Sequence, residues 1–138
     1  MYDIERFLKA QEHDYNVALS EIKNGRKESH WIWYIFPQLK GLGYSENAEY
    51  YGIDGIPEAK AYLQNDILRE RLIEISSALL ELPNEDPIEI FGYTDAKKVM
   101  SCMTLFSEAD PFEEVFQEVL DKFYLGVRDN FTLSMLYQ

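Results

Sequence analysis

The stretch HWIWYIFP, His30 to Pro37, decides the fold. Tryptophan, isoleucine, tyrosine and phenylalanine all favour sheets, so one reading is a strand. A strand needs partners, and no other part of the chain offers a convincing set. The other reading is a short buried helix from His30 to Phe36 that Ser29 caps. Pro37 ends it, because the residue before a proline is driven out of helical geometry. The helical reading makes the whole chain all-α, and the flanking segments agree with it.

Upstream, Ile4, Phe7, Leu8, Gln11, Tyr15, Ala18, Leu19 and Ile22 recur at helical spacing, and Gly25 stands where a helix ends. This predicts a helix over about residues 3–24, with Gln11 the one polar residue on its apolar stripe. Downstream, residues 38–56 read as a long loop punctuated by Gly41, Gly43, Gly52 and Gly55, a length that is often functional in a compact domain. Pro57 suits the start of a helix over Glu58 to Leu63. Asp66 is placed to cap a helix with Leu68, Leu72, Ile75, Leu79 and Leu82 inward, stopped by Pro83. IEIFGYTD reads as extended, after which Thr94 caps a helix with Val99, Met103 and Phe106 inward. Asp110, Pro111 and Glu113 form a start signal for a helix that Gly126 ends, and Asn130 to Leu136 closes the chain. The expectation is one compact all-α domain over residues 1–138, a bundle of six or seven helices with a long glycine-containing loop.

Length and composition fit that reading. A chain of 138 residues, 46% apolar, holds one hydrophobic core and is too short for two. The single cysteine, Cys102, excludes an intrachain disulfide, and on a helix in SCMTLF it reads as a buried inert thiol. Two histidines, His13 and His30, do not make a multi-histidine metal site, so no metal is expected. In GLGYSE, Glu46 stands where a dinucleotide fingerprint needs its third glycine, and no other cofactor motif occurs. The longest apolar run, Trp31 to Phe36, is far too short to span a bilayer, and MYDIERFLKA has no signal-peptide core. A cytoplasmic, soluble protein is expected. The net charge of −12 repels polyphosphate and anionic lipid at long range, which argues against nucleic-acid polymers and membranes as partners.

The charge is uneven. Between Ile22 and Tyr44 the four cations Lys23, Arg26, Lys27 and Lys40 face one acid, Glu28, a local balance of +3. Such an island focuses a small anion without attracting a large one; the plainer account is that cations gather at a helix C-terminus, where the dipole favours them. Trp31 and Trp33, two apart, point about 200° from one another in a helix. Both then serve as core anchors, or one forms a flat wall for a planar ligand. In the ligand reading Arg26 and Lys27 meet an anion, while Gly41 and Gly43 let backbone N–H groups approach it. His30 is a candidate catalytic residue, since imidazole is the commonest general acid or base, set against the common role of a structural donor. Gln38, Ser45 and Tyr51 offer polar atoms either to a ligand or to the loop backbone. Asp95, Lys98 and Ser101 share one helix face, which a surface ion pair also explains.

Four segments together, HWIWYIFPQLKGLGYS, EAKAYLQND, IFGYTDAKKVMSCMTLF and FYLGVRDNFTLSML, resemble the bacterial family of unknown function DUF1810 over almost the whole chain. The most specific parts are HWxWxxFPQ with its GLGxS continuation, and DxxKxxSxMTLF. The resemblance implies a small, soluble, all-α protein and no assigned activity. If the two specific segments meet, His30, Gln38, Ser45, Asp95, Lys98 and Ser101 become joint candidates for one pocket. The leading expectation is a site for a small anionic, nucleotide-like or phosphorylated ligand, between the HWIWYIFPQLKGLGYS segment and the Asp95–Phe106 helix. No cofactor is implied. The alternatives are a non-catalytic protein–protein interaction module, and a chain whose unusual residues all serve core and loop.

Overall fold

The computed structural model describes residues 1–138. Nine helices follow in order: α1 (Glu5–Lys23), α2 (Ile32–Ile35), α3 (Glu46–Tyr51), α4 (Gly55–Gln64), α5 (Asp66–Leu80), α6 (Pro87–Phe91), α7 (Tyr93–Ala109), α8 (Val115–Tyr124) and α9 (Asn130–Leu136). No strand forms, and an isolated parallel bridge between Leu39 and Ile53 is the one β-type pairing. No helix is long and apolar enough to cross a membrane.

Nine helices replace the expected six or seven because two segments read otherwise are helical. Inside the supposed loop over 38–56, the Ser45 hydroxyl accepts the Ala48 N–H at 3.1 Å and starts α3, with Glu46 and Glu49 favourably placed against the helix dipole. IEIF, read as extended, is the body of α6. Asp86 accepts the Ile88 N–H at 2.9 Å and Pro87 occupies the first turn, a start signal that outweighs the sheet preference of two isoleucines.

Several caps also differ. Asn65, not Asp66, caps α5 by accepting the Leu68 N–H at 3.0 Å. Gly92, in the left-handed region at φ 81°, precedes α7 in place of a Thr94 cap. Asp110 and Glu113 do not open α8; they pair with Arg69 of α5 at 3.1 and 3.3 Å, and the helix begins at Val115. A carboxylate that reaches a guanidinium gains a charge-assisted bond, so tertiary pairing displaces the local cap.

The core is organised on α7, whose residues Ser101 to Ser107 are all buried. A helix covered on every side lies in the interior, and α7 packs against α4, α6, α8 and α9. Its hydroxyls are nearly all matched: Thr104 donates to the Met100 carbonyl at 2.8 Å and accepts the Asp129 N–H at 2.9 Å.

Ser29 does not cap α2; it serves Glu21. The Glu21 carboxylate, in the last turns of α1, accepts the N–H of Glu28 at 2.7 Å, the N–H and hydroxyl of Ser29 at 2.9 and 2.6 Å, and the Trp31 indole N–H at 2.9 Å. Partial burial by itself would raise this carboxyl's pKa, but those donors outweigh it and hold the pKa down from 4.5 to about 2. A depressed carboxylate stabilises the fold above its unfolded-state pKa and loses that contribution as it protonates. In urea unfolding, the advantage of the native protein over Glu21→Gln should be full above pH 4.5 and shrink as the pH falls toward 2.

Candidate functional site

The loop before His30 reaches α7 at Asp95, in its first turn, and the HWIWYIF segment itself touches α7 where Lys98 stands over Trp33. The Lys27 ammonium lies 2.8 Å from Asp95 Oδ2, and the Lys98 ammonium 3.6 Å from Asp95 Oδ1. Each lysine covers one indole: Lys27 Nζ is 5.1 Å from the Trp31 ring centroid and Lys98 Nζ 5.0 Å from that of Trp33. Such contacts strengthen as the cation is desolvated. Lys27 has only 8% of its side chain exposed, and its backbone N–H donates to the Ile90 carbonyl at 2.7 Å, so the loop after α1 is fastened to α6. Lys98 is more open, at 23% of its side chain, and more loosely paired.

The two indoles part as their spacing predicts. Trp31 is sealed in the core at 1% exposure, its N–H satisfied by Glu21. Trp33 is half-buried, and its Nε1 is buried without an acceptor in the protein. Trp33 lines a nook of about 10 Å³ together with Gln38, Asn47, Ala48, Tyr51 and Gly52. One wall is thus α2 and the residues after it, and the other is α3.

Other anticipated residues are placed apart from the lysine cluster. Arg26 is exposed and its side chain makes no ion pair. His30 is exposed, and its imidazole bonds to no other side chain, so no catalytic dyad forms around it. Ser45 caps α3. Tyr51 packs its ring 5.1 Å from Tyr34 and 5.9 Å from Phe7. Gly41, at φ 101°, and Gly43 bring chain segments together: a Cβ would sit 2.7 Å from Met135 Cε and 2.9 Å from Ala48 Cβ, respectively. Ser101 is buried and within 3.2 Å of Asp129, which also accepts from both the N–H and the hydroxyl of Thr132, tying α9 to α7.

The model of the family described as "Protein of unknown function (DUF1810)" matches residues 1–136. The chain belongs to the DUF1810 family. Among solved structures it is similar to the crystal structure of the conserved hypothetical protein Rv1873 from Mycobacterium tuberculosis, at 41% identity, with 99% of this chain and 98% of that chain covered and a TM-score of 0.97. None of the curated proteins matches.

In this DUF1810 chain the wall formed by α3 depends on a residue that sequence patterns did not single out. Arg6 of α1 donates to the Tyr50 carbonyl at 2.8 Å and the Gly52 carbonyl at 3.0 Å, which lie at the open end of α3, and to the Asp3 carbonyl. Its guanidinium also pairs with Glu58 at 2.9 Å, with 9% and 4% of the two side chains exposed. Glu58 in turn accepts the Asp54 N–H at 2.6 Å. Asn47 escaped notice too, since an asparagine in a presumed loop carries no distinguishing spacing. A wide dish of about 560 Å³ opens beside Glu46, Asn47, Glu49 and Tyr50, and its two carboxylates disfavour anions. Removing one member of a buried ion pair strands the other, so Arg6→Ala should lower unfolding free energy by about 3–5 kcal/mol in urea titration. Arg6→Lys should restore only part of it, because one ammonium cannot serve two carbonyls and a carboxylate in a fork.

Proposed function

We propose that the protein binds a small anionic ligand, nucleotide-like or phosphorylated, against Lys98, Lys27, Asp95 and the Trp33 indole. The observation that carries this reading is the convergence of two lysines from distant segments on one carboxylate, each above an indole. Two ammonium groups against one carboxylate leave one positive charge in a chain of −12. Lys27 is committed by its short contact and burial; Lys98, at 3.6 Å and more exposed, is free to turn toward an incoming anion. The acidic remainder disfavours extended polyanions and leaves room for a single phosphate group. The chemistry is recognition, since no nucleophile or acid–base pair stands with the lysines.

A non-catalytic interaction module is the second reading, favoured by Leu125, Val127 and Phe131. Leu125 and Val127 stand exposed in the connection from α8 to α9 and Phe131 in the first turn of α9, with Leu125 in the left-handed region at φ 57°. On that reading a protein partner seats at this turn and phosphorylated compounds leave the protein unaffected.

Thermal-shift measurement separates the two. A ligand at 100 times its dissociation constant stabilises by about 2.7 kcal/mol, so ribose 5-phosphate or a nucleoside monophosphate should raise the melting temperature by several degrees. Lys98→Ala should remove that shift while leaving the unliganded melting temperature nearly unchanged. A flat response to every phosphorylated compound sinks the ligand reading.

A further inference from the structure

The Trp33 indole N–H is a buried donor for which the protein supplies no acceptor. Buried polar groups in native proteins are nearly always matched, and leaving one unmatched is costly, so an exception calls for a reason. Here the exception lies in a residue that lines a nook, and the nook's other polar side chains are Gln38, Asn47 and Tyr51. None of the three donates or accepts a side-chain hydrogen bond within the protein. Gln38 and Tyr51 keep their polar atoms open to solvent and Asn47 is exposed, so the indole N–H is the one polar group of the nook sealed off without a partner. A volume of about 10 Å³ admits about one polar atom. The lining carries no formal charge, and an anionic oxygen buried without a counter-charge is strongly disfavoured. The atom that suits the nook is a neutral acceptor, such as a carbonyl oxygen.

We propose that this nook reads the amide carbonyl of a planar heterocycle, and that Trp33 Nε1–H is the donor that recognises it. The inference rests on the anion site proposed above and names its ligand class: a nucleoside monophosphate whose base carries a carbonyl or carboxamide. Both recognition elements belong to one indole. Lys98 stands over its face and takes the phosphate, while the buried edge with Nε1 takes the base carbonyl. Gln38 and Asn47 line the same nook, and a carboxamide carries both a donor and an acceptor for the rest of an amide-bearing ring. Arg6 is a positioning residue, because it holds the Tyr50 and Gly52 carbonyls and so sets the α3 wall against Trp33.

Isothermal titration with four probes tests this. Uridine 5′-monophosphate carries a ring carbonyl, nicotinamide mononucleotide an exocyclic carboxamide, adenosine 5′-monophosphate a base without a carbonyl, and ribose 5-phosphate the anion alone. One or both amide-bearing nucleotides should bind about tenfold tighter than the other two, the worth of one neutral hydrogen bond made in a buried site. Which of the two gains tells whether the carbonyl belongs to the ring or to a substituent. Trp33→Phe should erase the preference, bringing all four probes to one common affinity. Its own melting temperature should hold or rise, since it deletes an unmatched buried donor. Gln38→Leu, whose side chain makes no bond in the fold, should reduce the preference in the same way. Equal affinity for all four probes overturns the inference while leaving the anion site standing. So does a Trp33→Phe protein that melts several degrees lower with its preference intact, which would assign the donor to a structural water. If none of the four binds, the anion site fails and this inference fails with it.

Discussion

The Glu21 carboxylate organises the junction between α1 and α2. It sits near the end of α1 and collects four donors from the ten residues that follow it. Without a neighbouring cation, it is balanced by hydrogen bonds alone, which is why its pKa falls so far despite partial burial. The consequence is directional. With the Trp31 N–H bound to Glu21, that indole is turned into the core, and helical geometry then sends Trp33 the other way. The same gathered loop presents Lys27 to α6 and to Asp95. One carboxylate thus sets which tryptophan is structural and which remains available.

Around that junction the fold separates a rigid interior from an adjustable rim. The interior is α7, surrounded by four helices and fastened to α9 through Ser101, Thr104, Asp129 and Thr132, a buried polar group whose members satisfy one another. Such networks specify one arrangement of helices, because any slip would leave several donors unmatched at once. The rim is α3 with the segments on either side. Its principal packing partner is α2, and its far end is held by the guanidinium of Arg6. Gly52 permits that closeness: a Cβ there would lie 2.7 Å from the Lys40 Cα. The proposed ligand nook lies between Trp33 of α2 and α3 in this rim.

Charge follows a related division. The chain is strongly acidic, yet the basic island after α1 is only partly used at the site: Lys27 is drawn in, while Arg26 stays on the surface. The second lysine of the cluster, Lys98, comes from α7, far along the chain. A local count of charges therefore located one half of the cluster and was blind to the other half's partner.

What was legible in the sequence was whatever depends on near neighbours. Apolar spacing of three and four residues marked α1, α5, α7 and α8, and the lack of strand partners pointed to a helix in HWIWYIF, of which only Ile32–Ile35 is helical, not the expected His30 to Phe36. The two-residue offset of the tryptophans turned them apart but left open whether both were core anchors. The short helices α3 and α6 were missed because loops rich in glycine and pairs of isoleucine outvote single caps such as Ser45 and Asp86, although those caps suffice once the ends are anchored. Asp110 and Glu113 looked like a helix start and became partners of Arg69. The arrival of Lys27 at the Asp95–Lys98 pair, the grip of Arg6 on α3, and the unmatched N–H of Trp33 were decided only by the packed chain. Each depends on which helices lie side by side, and a long flexible side chain on a helix surface carries no mark in its own neighbourhood of the partner that packing will bring within reach.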